Sequence, residues 1–304
     1  MHAQFIALVY KIPHISSFAF VQKIKSALRN KGIIIDKIGF SGTLDPFARG
    51  QLLLATNRYT RLLPHIEKSY KSYQATLFLG CNSASLDTEN IINIEHIAKQ
   101  DSKLIESIFN NLIGDVRYTP PRFSAKHING SRAYELAREN KKFSLPECLM
   151  NIRQCELISY NHPFVSFRVT LSEGGFVRSI AEIVGKSLNC QASLCYLERL
   201  SEGQLAYYEC LNSNNTISLD FEYFGVCQNL KLVLLDIKNV IKYDTISLVD
   251  YEKQAFEGKK IHLNNAYNIT KNGIYLADFG SYYGIIDINR QREVKYIVNR
   301  IDKC

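Results

Sequence analysis

No apolar run in this 304-residue chain is long enough to cross a bilayer, which excludes a helical membrane protein. The one apolar stretch near the start, Phe5 to Tyr10, has no basic segment before it and no small-residue cleavage site after it. A cytoplasmic protein with reduced thiols is the expectation. The eight cysteines (Cys81, Cys148, Cys155, Cys190, Cys195, Cys210, Cys227 and Cys304) include no Cys-x-x-Cys pair, so neither a zinc site nor a disulfide framework is indicated. There is no internal repeat and no low-complexity tract. Acidic residues are scarce in one region only. Residues 1–80 hold three acids (Asp36, Asp45, Glu67) against eleven Lys and Arg (Lys11, Lys23, Lys25, Arg29, Lys31, Lys37, Arg49, Arg58, Arg61, Lys68, Lys71), and the rest of the chain is neutral. The whole excess of +8 therefore sits in the first 80 residues. A basic field of this kind fits a polyanionic partner, of which nucleic acid is the commonest.

A content of 46% hydrophobic residues supplies a core for one large domain or for a large and a small one. Phe5–Tyr10 reads as a strand. Ser16 or Ser17 then caps a helix whose apolar face carries Phe18, Val21, Ile24 and Leu28. Strands are expected over 51–56, 70–80, 155–160, 164–171 and 193–200, and a helical turn over 59–66. Helices are expected over 101–109, with Leu104, Ile105 and Ile108 on one side, and over 132–139 and 177–188. Strands mixed with helices, without a regular βαβ beat, predict an α+β fold with a mainly antiparallel sheet flanked by helices. Beyond about Leu235 the texture becomes short-stranded and turn-rich. There, 274–278 and 282–288 read as a hairpin around Phe279-Gly280-Ser281.

The segment Lys37-Ile-Gly-Phe-Ser-Gly-Thr-Leu-Asp-Pro46 concentrates the chemistry. Gly39 and Gly42 permit backbone conformations closed to other residues, and Pro46 fixes its own φ while steering Asp45 away from the helical region. Asp45 is thereby presented as a single carboxylate in a stiff loop inside the basic region.

Five blocks extend this reading: Lys11–Lys25 with its Ser16-Ser17 pair; Lys37–Gly50; Lys71-Ser-Tyr73 running to Leu79-Gly80 and the polar run Ser83–Glu89; Thr119–Lys126 with Gly130–Arg138; and Gly174-Gly-Phe-Val-Arg178-Ser-Ile180 with Leu197-Glu-Arg-Leu200. In this set and order the chain resembles the TruB family of pseudouridine synthases, the bacterial tRNA pseudouridine-55 synthases. The resemblance implies a pseudouridine synthase catalytic domain over residues 1–235, with an insert at about 110–145. It also implies a small β-rich, PUA-like RNA-binding domain over residues 236–304. The implied reaction isomerises uridine 55 in the tRNA T-loop without a cofactor or metal, and the alternative is a non-catalytic tRNA-binding or RNA-folding protein.

By the same resemblance Asp45 is the nucleophile, attacking either ribose C1′ or uracil C6, with Arg178 as its cation and Tyr73 stacking on the base and helping to remove its C5 proton. Leu200 matches an apolar residue packed against the base, and Phe176 a position that is usually aromatic. Lys71 belongs to the Tyr73 block. Lys11, Lys23, Arg49 and Arg58 are the expected phosphate contacts, with Lys126 and Arg132 on the other side of the RNA. The implied partner is the T-arm of tRNA, bound by a monomer that flips the uridine out. The chain departs from the family pattern at Phe40, where histidine is usual, at Ile12 and His14, where Pro and Gly are usual, and at Asn90, which replaces a glycine.

Overall fold

The computed structural model describes residues 3–67, 69–128, 130–264, 267, 269 and 271–303. Lys68 and Cys304 lie outside the described residues. Eleven strands form one large sheet: β1 (Ile6–Lys11), β2 (Ile38–Ser41), β3 (Arg49–Thr56), β4 (Tyr70–Leu79), β5 (Gly114–Tyr118), β6 (Cys148–Asn161), β7 (Phe164–Ser172), β8 (Ala192–Glu202), β9 (Leu205–Ala206), β10 (Thr216–Tyr223) and β11 (Val226–Leu235). Their order is β10-β11-β1-β3-β8-β4-β7-β6-β5, with β2 on β3 and β9 on β8. Only the short β3–β8 pairing is parallel, so the sheet is mainly antiparallel, as its sequence texture predicts.

Strand β4 shows how a period of two builds both core and site. Lys71, Tyr73, Ala75, Leu77 and Leu79 alternate onto its buried face. The last four join the main core, and Lys71 and Tyr73 also line a cavity. The opposite face is laced by cross-strand bonds between Ser72 and Thr170 at 2.8 Å and between Thr76 and Ser166 at 2.9 Å.

Helix α1 (Ser17–Asn30) begins at Ser16, whose hydroxyl accepts from the Ala19 N–H, a cap contributing about 1 kcal/mol. Its buried face is Ser17, Phe20, Val21, Ile24 and Leu28. Phe18 is instead 66% exposed, because Ser17 takes the inward position. In α2 (Ser102–Asn110), capped by Asp101, Ile105 and Phe109 are buried and Leu104 is exposed. The helix α3 (Ala133–Arg138) lies in the 119–147 segment, preceded by a ribbon pairing His127 with Arg132. Helix α4 (Val177–Ser187) packs Val177, Ile180, Ala181 and Val184 onto the main core.

A second sheet contains β12 (Thr245–Ser247), β13 (Ile261–His262), β14 (Gly273–Asp278), β15 (Tyr282–Ile288) and β16 (Glu293–Asp302), in the order β12-β14-β15-β16-β13. The hairpin around residues 279–281 is its centre. This sheet is not tethered loosely. Ile237, Val240, Leu276, Ile285, Val298 and Ile301 share one apolar cluster with Ile6, Leu8, Leu53 and Val233 of the large sheet. No helix among the described residues is long and apolar enough to cross a membrane.

Candidate active site

The loop between β2 and β3 presents Asp45 at the floor of an open cavity of about 1160 Å³. Several groups hold that loop. The buried Ser17 hydroxyl lies 2.9 Å from both the N–H and the carbonyl of Leu44. The Lys11 amine, fully buried, donates to the carbonyls of Ile12, Pro46 and Ala48 at 2.9, 3.2 and 2.6 Å. Lys11 therefore clamps the loop from inside and is not placed to meet a phosphate. Burial pulls its amine down to about 7, opposed by the Asp45 carboxylate.

Two glycines let the loop sit this low. Gly42 has φ +62, and a Cβ there would stand 2.9 Å from Arg199 Nη1. Gly50 has φ +113, and a Cβ would stand 2.3 Å from the Arg199 carbonyl oxygen, where β3 meets β8. Gly39 does not need its freedom, since it sits in β2 without a positive φ.

Arg178, in the first turn of α4, is 2% exposed and carries the electrostatics. Its Nη2 donates to Asp45 Oδ1 at 2.8 Å and to the Phe123 carbonyl at 2.9 Å. Its Nη1 donates to the Ser85 carbonyl at 2.8 Å and stands 3.6 Å from Asp87 Oδ2. One guanidinium thus faces two carboxylates, with Asp45 reaching solvent and Asp87 buried. The other Asp87 oxygen accepts from the Ser85 hydroxyl at 2.5 Å and the Glu89 N–H at 2.9 Å. Burial nevertheless pushes the Asp87 carboxyl up to about 6, against the pull of Ser85, Arg178 and that N–H. Asn90 closes this turn with φ +52, the left-handed geometry expected where a glycine is usual.

Tyr73 lines the same cavity from β4, with its phenol pushed up by burial and pulled down by Arg199. Lys71, one turn of the pleat away, stands 3.5 Å from Glu202 and 3.7 Å from Glu173. Phe40, Phe176, Lys126 and Arg132 also line the cavity, so the structure brings these together with Asp45, Tyr73 and Arg178.

It does not bring in the others. Arg49 stacks on the Tyr196 ring at 4.4 Å, and Arg58 donates to the Arg300 carbonyl at 3.2 Å, tying the large sheet to β16. Lys23 is exposed on α1 beside the Tyr223 ring. Leu200 is half-buried outside the cavity, and Leu197 lines it instead. The reason is a register shift in β8 between Arg199 and Ser201, which leaves Leu200 bulged.

Sequence reasoning missed Asp87, Ser17 as a loop clamp, Leu197, Arg199 and Glu202. The signals were the Ser83–Glu89 polar run, the Ser16-Ser17 pair and the three charges Glu198, Arg199 and Glu202 at the end of one strand.

A carboxylate gripped by a buried arginine, beside a tyrosine and among cations and aromatics, suits an anionic substrate that carries a flat ring. The fold is shared with solved structures of a Cbf5-Nop10-Gar1 complex (TM-score 0.59, 17% identity, 98% of this chain and 84% of that one) and of an H/ACA RNP bound to a substrate RNA containing 2′-deoxyuridine (TM-score 0.60, 16% identity, 98% and 85%). Residues 28–177 match the N-terminal domain of TruB family pseudouridylate synthase. The tRNA pseudouridine synthase B of Helicobacter hepaticus is 41% identical over 98% of this chain and 95% of its own length. That of Campylobacter concisus is 36% identical over the whole of both chains. The chain belongs to the TruB family of pseudouridylate synthases.

Proposed function

We propose that this protein converts uridine 55 in the T-loop of tRNA to pseudouridine, using Asp45 as nucleophile on a flipped-out uridine. The observation that carries this reading is the 2.8 Å pair between Arg178 and Asp45 at the floor of a cavity that also holds Tyr73. The relatives named tRNA pseudouridine synthase B support tRNA as the substrate.

The guanidinium favours the ionised form of a carboxylate that the arriving base desolvates. Asp45 adds to ribose C1′ or to uracil C6, the N1–C1′ bond breaks, the base turns, and C5 bonds to C1′. Tyr73 stands on the wall from which the C5 proton is taken. Leu197, Phe40 and Phe176 replace the stacking that the uridine gives up. Lys126 and Arg132 sit on the rim, in reach of phosphates.

In this reading residues 1–235 are the catalytic domain and residues 236–304 a PUA-like unit that offers further RNA contacts through exposed Lys253, Lys259, Lys260 and Arg290. The protein acts as a cytoplasmic monomer. The test is Asp45→Asn, assayed on unmodified T-arm RNA. The variant is expected to bind RNA within about threefold of wild type, since Asp45 is not a phosphate contact, and to form no pseudouridine. Turnover by that variant overturns the reading.

A further inference from the structure

The chemistry above leaves Arg199 without a task. It is among the largest fully buried side chains, 1% exposed, and it lines the cavity. Burying a guanidinium is costly unless it is paired, yet among the described residues Arg199 has no carboxylate within ion-pair distance. Its Nε donates to the Gln51 carbonyl at 2.8 Å, and Nη2 is buried without a partner.

The neighbouring cations are differently placed. Arg178 is shared between Asp45 and Asp87, and Lys71 faces Glu202 and Glu173. Glu202, itself fully buried, also accepts from the Ser41 hydroxyl at 3.0 Å. Arg199 is thus the cation whose charge is left for something else, and it sits in register directly across from Tyr73. The charged groups that act on the Tyr73 phenol are Arg199 and Glu202 from β8 and Asp45 from the β2–β3 loop, while Lys71 from its own strand and Arg178 from α4 line the same cavity. Arg199 favours ionisation of the phenol, while burial, Glu202 and Asp45 oppose it.

We propose that Arg199 is a positioning residue for the proton-transfer step, aiming the Tyr73 oxygen at the rejoined base and supplying the positive charge that lets it accept the C5 proton. This rests on the pseudouridine synthase reading of the site. In the step, the C5–H bond breaks, its electron pair becomes the C5=C6 double bond, and the proton passes to the Tyr73 phenolate. The pair displaced at C6 goes to N1, which is protonated from water, in the ribose route. In the base route it leaves with the Asp45 carboxylate. The phenol returns its proton to solvent after product release.

The bulge at Leu200 places Arg199 and Glu202, three residues apart, on the same face of β8, opposite Tyr73 and Lys71. Gly42 makes room above the guanidinium. These features serve one geometry.

The experiment is single-turnover release of the C5 hydrogen from T-arm RNA carrying 5-tritiated or 5-deuterated uridine, between pH 6 and 10, with wild type, Arg199→Gln and Arg199→Lys. Arg199→Gln is expected to bind RNA normally and to release the C5 hydrogen about 100-fold more slowly, the scale of a lost general-base contribution. Its rise of rate with pH is displaced upward, and its C5 isotope effect is larger. Arg199→Lys keeps the charge but not the fork, and is expected to be about tenfold slower with a smaller displacement. Arg199→Gln with the wild-type pH profile and a rate within threefold overturns the proposal. If that variant does not fold, Arg199→Lys decides alone: the wild-type rate and profile overturn it, and a slower, displaced profile supports it. Wild-type protein that forms no pseudouridine instead refutes the reading of the site, before any variant is compared.

Discussion

Replacing Arg178 by methionine tests the electrostatics of the site through stability and turnover together. Two effects follow from the geometry. The first is independent of pH: the Ser85 and Phe123 carbonyls, which accept from the guanidinium at 2.8 and 2.9 Å, lose their donor, costing about 1–3 kcal/mol each if water does not replace it. The second depends on pH through Asp87, 3% exposed and lifted from an ordinary 3.8 to about 6. A carboxyl lifted on folding binds more protons in the native state. Stability is therefore greatest below 3.8 and falls as pH rises towards about 6, by about 3 kcal/mol in total. Arg178, 3.6 Å away, limits that fall. Without it the Asp87 carboxyl climbs by about one to two further pH units, within the range that an opposite charge at this distance contributes. The decline then continues well above pH 6.

The wild-type and Arg178→Met stability curves are thus expected to diverge by about 1–2 kcal/mol between pH 5 and 8, on top of the constant loss. Urea unfolding at pH 5, 6, 7 and 8 measures this directly. Turnover on T-arm RNA is expected to fall by about two orders of magnitude, because Asp45 loses its charge-assisted hydrogen bond. Parallel stability curves, or a variant with turnover within tenfold of wild type, would refute the reasoning.

Two further substitutions separate placements that the sequence confuses. Lys11→Met is expected to lower stability by about 2–3 kcal/mol, because three loop carbonyls are orphaned, and to slow turnover while leaving the salt dependence of RNA binding unchanged. A salt slope reduced by about one, with normal turnover, would mean that Lys11 meets a phosphate after all. Leu197→Ala is expected to slow pseudouridine formation by about tenfold through lost packing on the base, and Leu200→Ala by less than threefold; the reverse order in steady-state kinetics would place the wrong leucine in the cavity.

The strands were legible where one face is buried and the other is not. Tyr70–Leu79 alternates cleanly, and both its existence and the inward direction of Tyr73 follow from period two. The β8 strand was legible as a strand but not as a set of faces. Its register against β4 shifts at Leu200, and a bulge depends on what the partner strand and the loops demand, which no local pattern records. Phe18 and Leu104 show the same limit on helices: each lies on an apolar stripe, and each is turned out because a neighbouring residue, Ser17 or Ile105, takes the contact. Asp45 and Arg178 stood out through their motifs, separated by 133 positions in the chain. Asp87 did not, because its role exists only after the Ser83–Asn90 turn meets α4.

The basic character of the first 80 residues divides in two when the fold is applied. Lys11 and Lys71 are buried, Arg49 lies on an aromatic ring and Arg58 is tied to the second sheet. These four are structural or close to the chemistry, so the field that greets a polyanion is weaker than the sequence count implies. The inner cations do a different job from the outer ones. Lys11 fixes the backbone that carries Asp45, while Arg178 and Arg199, from later in the chain, are buried cations in the wall of the same cavity. Placing fixed positive groups under a loop whose own side chain is an acid keeps that acid presented when solvent is displaced, which an exposed patch of lysines would not do. Composition registers both kinds of cation as one number, and only burial separates recognition from catalysis.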